Sequence, residues 1–184
     1  MRTLTLLLTL LGTCLTQAAD THTATTPAYA EEARYLSTSV RFSIPVPNGW
    51  RNTKGENLGL RDNVFLHPKS FGGFTANVVF IEEPTLGLKN LSDLVVASLG
   101  NMKDIPGFKV NETQRLRTAQ GESIVMVRYE GNFLPNGTLS NNAAYFIILK
   151  NERFLTITVS GTENTPEKCH SEAKAAILDI EISK

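Results

Sequence analysis

Cys169 and His170 are adjacent, and their types could support nucleophilic chemistry, with an imidazole activating a thiol. Their surroundings argue against it. Cys169, Ala173, Ala176, Ile177 and Ile180 recur at helical intervals and form one apolar stripe, and His170 points about 100° away around such a helix. A cysteine buried on that stripe is inert. Glu82 and Glu83 are neighbours, so on a strand they face opposite sides and cannot share acid–base work. The histidines His22, His67 and His170 stand far apart, with no HExxH or CxxC spacing to ligate zinc. No serine sits in a G-x-S-x-G elbow. Gly72-Gly73 is not followed by a helix start, which a phosphate cradle needs. Asp62 and Asn63 read as solvated strand positions. The expectation is a chain with no catalytic, cofactor-binding or metal-ligating set, and hence not an enzyme.

Aromatic residues offer a different chemistry. Trp50 is the sole tryptophan and follows the turn sequence Pro47-Asn48-Gly49. There it either closes the rim of the core or contacts a partner, since aromatics are enriched at interfaces. Phe71, Phe74 and Phe133 lie in or beside expected loops. Exposed together with Trp50, they would mark a binding patch.

Charge narrows the partner class. The 184 residues carry 18 basic and 18 acidic side chains, with no lysine or arginine cluster. Nucleic acid demands a positive footprint, so a nucleic-acid partner is not expected.

The N-terminus reads as a targeting segment. Met1-Arg2 gives a short positive start, Leu4 to Leu11 an apolar run far too short to span a bilayer, and Thr16-Gln17-Ala18 a cleavage site. The expectation is a signal peptide over 1–18, cleaved after Ala18, and a periplasmic mature protein. Leu11-Gly12-Thr13-Cys14 also resembles a bacterial lipobox, which makes Cys14 a candidate lipidation site and a membrane-anchored lipoprotein the alternative. Once the leader is removed only Cys169 remains, so no intramolecular disulfide can form. Beyond the leader no apolar run is long enough for a transmembrane helix.

Residues 19–36 are rich in Thr and Ala without a hydrophobic period and are expected to be a flexible linker. The folded domain is then 37–184. Val40 to Val46 alternates as a strand that must lie at an edge or end at Pro45. A second strand is expected over 58–67, a loop over Ser70 to Gly73, and a third strand from Phe74 to Ile81. This third strand is apolar on both faces and therefore central. Leu91, Leu94, Val95, Leu99 and Met102 form a helical stripe capped by Asn90, ending before Pro106-Gly107. Strands follow from Phe108 to Leu116 and from Ser123 to Tyr129. Ala143 to Lys150 and Arg153 to Ser160 then pair across Asn151-Glu152. Thr165-Pro166-Glu167 opens the last helix with Thr165 as N-cap. Short connections imply an α+β fold, a mainly antiparallel sheet flanked by helices.

Phe42-Ser43-Ile44-Pro45-Val46-Pro47-Asn48-Gly49-Trp50 resembles the F-x-[IV]-x-[LV]-P-x-G-W opening of the DcrB and PsbP-like superfamily. The order of elements after it is also similar, and the resemblance spans about 36 to 182. It implies an αβα sandwich whose known members are mostly adaptors and accessory subunits. DcrB-type envelope lipoproteins are among them. The family shares no catalytic motif to carry over. The expected function is a non-enzymatic envelope protein that binds another envelope protein through the sheet face or the loops near Trp50 and Phe71–Phe74. A periplasmic immunity protein that blocks a toxin is one alternative, and a hydrolase with an unrecognised site is another.

Overall fold

The computed structural model describes residues 34–56, 59–134 and 137–183. The expected signal peptide, most of the expected linker and Cys14 lie outside the described residues. Among the described residues ten strands and two helices follow in chain order. They are β1 (Arg34–Leu36), β2 (Phe42–Pro45), β3 (Arg51–Thr53), β4 (Val64–Phe71), β5 (Phe74–Pro84), α1 (Leu91–Gly100), β6 (Lys109–Arg117), β7 (Ser123–Gly131), β8 (Ser140–Leu149), β9 (Arg153–Thr162), α2 (Glu167–Leu178) and β10 (Glu181–Ile182).

The main sheet has seven strands in the order β3-β4-β5-β9-β8-β7-β6, with every pair antiparallel. It is two meanders, β3-β4-β5 and β6-β7-β8-β9, joined where β5 pairs with β9. That junction runs from Asn77 opposite Ser160 to Pro84 opposite Arg153. The chain must therefore travel from β5, in the middle of the sheet, to β6 at its far edge. It does so across one face, and α1 is that crossing. Val95 of α1 and Met102 just beyond it pack on Val125, Val127, Ala144 and Phe146. The Asn90 cap forms as expected, its side chain accepting from Asp93 N at 2.9 Å.

The opposite face is covered by α2 and a small sheet in the order β1-β2-β10. Cys169, Ala173 and Ile177 of α2 join Phe42, Phe65 and Phe80 in the larger core. Face alternation explains the partition: along β7, Ile124 and Met126 belong to this core, whereas Val125 and Val127 belong to the α1 side. The expected α+β class is what the chain adopts.

Four local expectations are corrected. Residues 34–36, expected within the linker, form β1 opposite Ser43–Pro45, because Tyr35 has a buried site to fill. Residues 59–63 do not extend a strand; β4 begins at Val64 and runs on through Phe71, closing on Phe74 through a two-residue Gly72-Gly73 turn. Asp62 is not solvated but buried, accepting from Tyr35 Oη and Thr38 N at 2.9 Å each. Thr165 is not the cap of α2: Pro166 holds that place, and the Thr165 hydroxyl accepts from Thr162 N at 3.0 Å.

Candidate functional site

The expected aromatic patch does not exist as a surface. Trp50 is 2 % exposed, its ring edge-on to His67 at 5.3 Å and its indole N–H donating to Glu172 of α2 at 3.1 Å. Phe74 is buried, and Phe71 is half-buried against the core with His67 at 5.0 Å. Phe133 packs against Tyr129 and Phe108. Trp50 therefore closes the core rim and holds α2 to the chain preceding β3. Of the three expected partner-binding residues, Trp50 and Phe74 are thus buried and Phe71 is half-buried.

The remaining chemical candidates fall as their spacing suggests. Cys169 is buried, and burial pushes its thiol above the ordinary range. Glu82 and Glu83 occupy successive positions of β5. The Glu82 side chain is nearly fully buried between Arg41 and Arg153, with the Ser39 hydroxyl donating to it at 2.6 Å. Burial raises its pKa, but Ser39 and the two guanidinium groups outweigh that and hold it below the usual carboxylate range. This cluster ties the β1–β2 turn to the main sheet. Among the described residues no group of three or more His, Cys, Asp or Glu is arranged to hold a metal ion.

The site that emerges lies where α2 leaves part of the sheet uncovered. Register builds it. Glu112 of β6 faces Arg128 of β7, which faces Ala143 of β8. Two residues further along the same face, Glu130 faces Asn141, which faces Gly161 of β9. Ala143 and Gly161 contribute almost no side chain, so a floor opens between the tall residues of β6–β7 and the first turns of α2. The result is a groove of about 610 Å³ walled by Glu112 and Arg128 on one side and by Glu167 and His170 of α2 on the other. A second hollow of about 300 Å³ continues beside α2, past Gln114, Tyr145, Ser171 and Lys174.

Gly161 sets how closely α2 approaches. A Cβ there would stand 3.0 Å from Thr165 Cβ and 3.1 Å from His170 Nε2. His170 is thereby pressed against β9 and is only 8 % exposed, and its Nδ1 has no hydrogen-bond partner. Burial lowers its pKa despite the nearby Glu167, so the ring is neutral at pH 7. Arg128 donates to Glu167 at 2.8 Å across the groove, which holds the Glu167 carboxyl below its ordinary range and raises Arg128. Burial pushes Tyr145, beneath this pair, up to about 12. No hydroxyl or thiol is bonded to His170 Nδ1, so that nitrogen activates no nucleophile. The arrangement offers a polar, partly charged cleft beside the exposed edge strand β6.

Sequence reasoning missed Glu112, Arg128, Asn141 and Glu167. A signal was present: Arg128 interrupts the inward-facing series Ile124, Met126 on β7, and a charge at a core-facing position implies that the cover stops there.

No protein-family model and no curated protein sequence matches the chain. Solved structures do. LpqN of Mycobacterium tuberculosis, described as involved in cell envelope biogenesis, superposes with a TM-score of 0.61 at 14% identity, covering 85% of this chain and 88% of its own. Cyanobacterial PsbP from Synechocystis sp. PCC 6803 gives 0.55 at 15% identity, over 87% and 98%. The Saccharomyces cerevisiae Ran-binding protein Mog1p gives 0.53 at 11% identity, over 82% and 95%. The chain has the fold these proteins share, and none of the three is named for a catalytic activity.

Proposed function

We propose that this chain is a non-enzymatic exported protein of the DcrB/PsbP-like type, an adaptor that binds another protein of the cell envelope. The observation that carries this reading is the polar groove between α2 and β6. It adjoins the free edge of the main sheet, where β6 pairs with β7 on one side only and alternate residues turn their backbone groups outward. The Nδ1 of its buried imidazole has no hydrogen-bond partner, so no hydroxyl or thiol is activated at that nitrogen. The Phe42–Trp50 segment and the signal-like N-terminus support the family and the location. Two similar folds add to this, one described with cell envelope biogenesis and the other as Ran-binding.

The full-length chain, tagged at its C-terminus and expressed in exporting cells, would be cross-linked mildly and captured from the envelope. The expected result is one dominant protein partner, lost when Glu112→Lys with Glu163→Lys inverts the groove charge in a protein that still folds. Release of a product from a panel of ester, peptide and glycoside substrates, abolished by His170→Ala, would replace this reading with a hydrolase. Intact mass also tests the route: a free amine at Ala19 fits cleavage, and a diacylglycerol on Cys14 would make the protein an anchored lipoprotein.

A further inference from the structure

From the charge balance and the unpartnered imidazole, we infer that the groove between α2 and β6 is a receptor for a cationic side chain, the guanidinium or ammonium of a partner's Arg or Lys. This inference deepens the adaptor reading and rests on it. Three carboxylates, Glu112, Glu163 and Glu167, line the groove against the single guanidinium of Arg128. The Arg128–Glu167 pair is neutral as a unit, which leaves Glu112 and Glu163 in excess. Lys174 belongs to the adjoining hollow and Lys109 is 3.6 Å from Glu130, so neither is seated between those two carboxylates.

His170 is the second, independent feature. It is more than nine-tenths buried, lines the groove, and carries an Nδ1 with no partner, so a neutral imidazole nitrogen is left unsatisfied. Asn141 adds an amide to the same wall. In the tautomer with the proton on Nε2, Nδ1 is an acceptor, and a donor-rich planar cation then satisfies the set, because guanidinium has N–H groups to give and nothing to accept. An anion would face a lining in which three carboxylates outweigh one guanidinium. The exposed edge of β6 suits an extended partner segment, whose alternate side chains would point over the groove.

The probes are N-acetyl-argininamide and its acidic counterpart N-acetyl-glutamate amide, titrated into the full chain and followed by NMR at the His170 ring. The expected result is saturable binding of the arginine probe with a dissociation constant on the order of 1 mM, as befits a single side chain, and none of the acidic probe. Glu112→Gln with Glu163→Gln should weaken the arginine probe at least tenfold. Arg128→Gln should tighten it severalfold by releasing Glu167, a gain that a misfolded variant cannot mimic. Equal or preferred binding of the acidic probe, or indifference to both sets of variants, overturns the inference. The adaptor reading itself fails on a different result, the absence of any captured partner, so the two failures are distinguishable.

Discussion

The hydroxyl of Tyr35 donates to the carboxylate of Asp62 across 2.9 Å and accepts from Asn63 N at 3.1 Å. Tyr35 is the only buried residue of β1, and Asp62 lies in the bend before β4, so this contact locks the start of the domain onto the main sheet. Tyr35→Phe keeps the packing on Phe65 and Phe80 but leaves a buried carboxylate short of one donor. The expected loss is about 1–3 kcal/mol, read as a lower urea midpoint with an unchanged slope. A variant as stable as the parent would mean that β1 is not anchored through this bond.

Burial pushes Tyr35 and Tyr145 up to about 12 and raises Tyr129 further. The folded state therefore prefers the neutral phenol. The stability this confers is complete below the unfolded value near 10 and is lost as pH rises through the folded values. Urea midpoints should be flat from pH 8 to 9.5 and then fall steeply toward pH 12. Absorbance at 295 nm should show these three tyrosines ionising only as the fold is lost. Reversible ionisation of all of them near pH 10 in intact protein would contradict the buried arrangement.

Glu82 makes the opposite prediction at the acid end. Its carboxyl is held below the ordinary range by Ser39, Arg153 and Arg41, so the folded state prefers the ionised form. The contribution is complete above the unfolded value near 4.5 and disappears as pH drops through the folded value. Glu82→Gln should cost about 2 kcal/mol at pH 7, less than the 3–5 typical of a fully buried pair because both arginines reach solvent. The gap between parent and variant should narrow as pH falls below about 4.5 and close once the folded-state carboxyl is itself protonated. A gap that does not change with pH would show that the charge of Glu82 is irrelevant to the fold.

Gly161→Ala tests how the groove is built. The added methyl meets Thr165 and His170, both fixed by α2, so something must shift. The expected cost is about 1–3 kcal/mol, with a displaced His170 ring signal. Gly100→Ala is the control: no atom lies within 4 Å of its Cβ position, and it should be neutral or slightly stabilising. Equal behaviour of the two variants would disprove the close approach of α2 to β9.

What could be read from the sequence was what a short stretch of chain decides for itself. Asn90 caps α1 because its partner, Asp93, is three residues away. β5 is central because its own side chains are apolar on both faces. β1 and β3 were hidden, since elements of three residues carry no period and β3 is exposed throughout. Trp50 could be read as either rim or interface, because its fate depends on Glu172, 122 residues later. The groove was the least legible feature. Glu112, Arg128 and Asn141 become neighbours only through the register of three strands, and His170 joins them only because Gly161 lets α2 settle there.

Glu152 occupies a backbone conformation that suits another residue. The β8–β9 hairpin turns through Asn151 and Glu152 with φ of 59° and 54°, the double left-handed geometry that favours Asn-Gly. Asn151 tolerates it, whereas the Glu152 side chain pays about 1 kcal/mol in steric strain. The useful contact of Glu152 is made by its backbone oxygen, which accepts from Thr85 N at 2.8 Å and survives any substitution. Relief of that strain, set against about 0.5–1 kcal/mol of entropy gained by the unfolded chain, leaves Glu152→Gly neutral to stabilising by up to about 1 kcal/mol. Urea midpoints at pH 7 measure this directly. A destabilised variant would show that the turn does not hold Glu152 at positive φ, and that the eight-residue pairing of β5 with β9 beside it is set by something other than this hairpin.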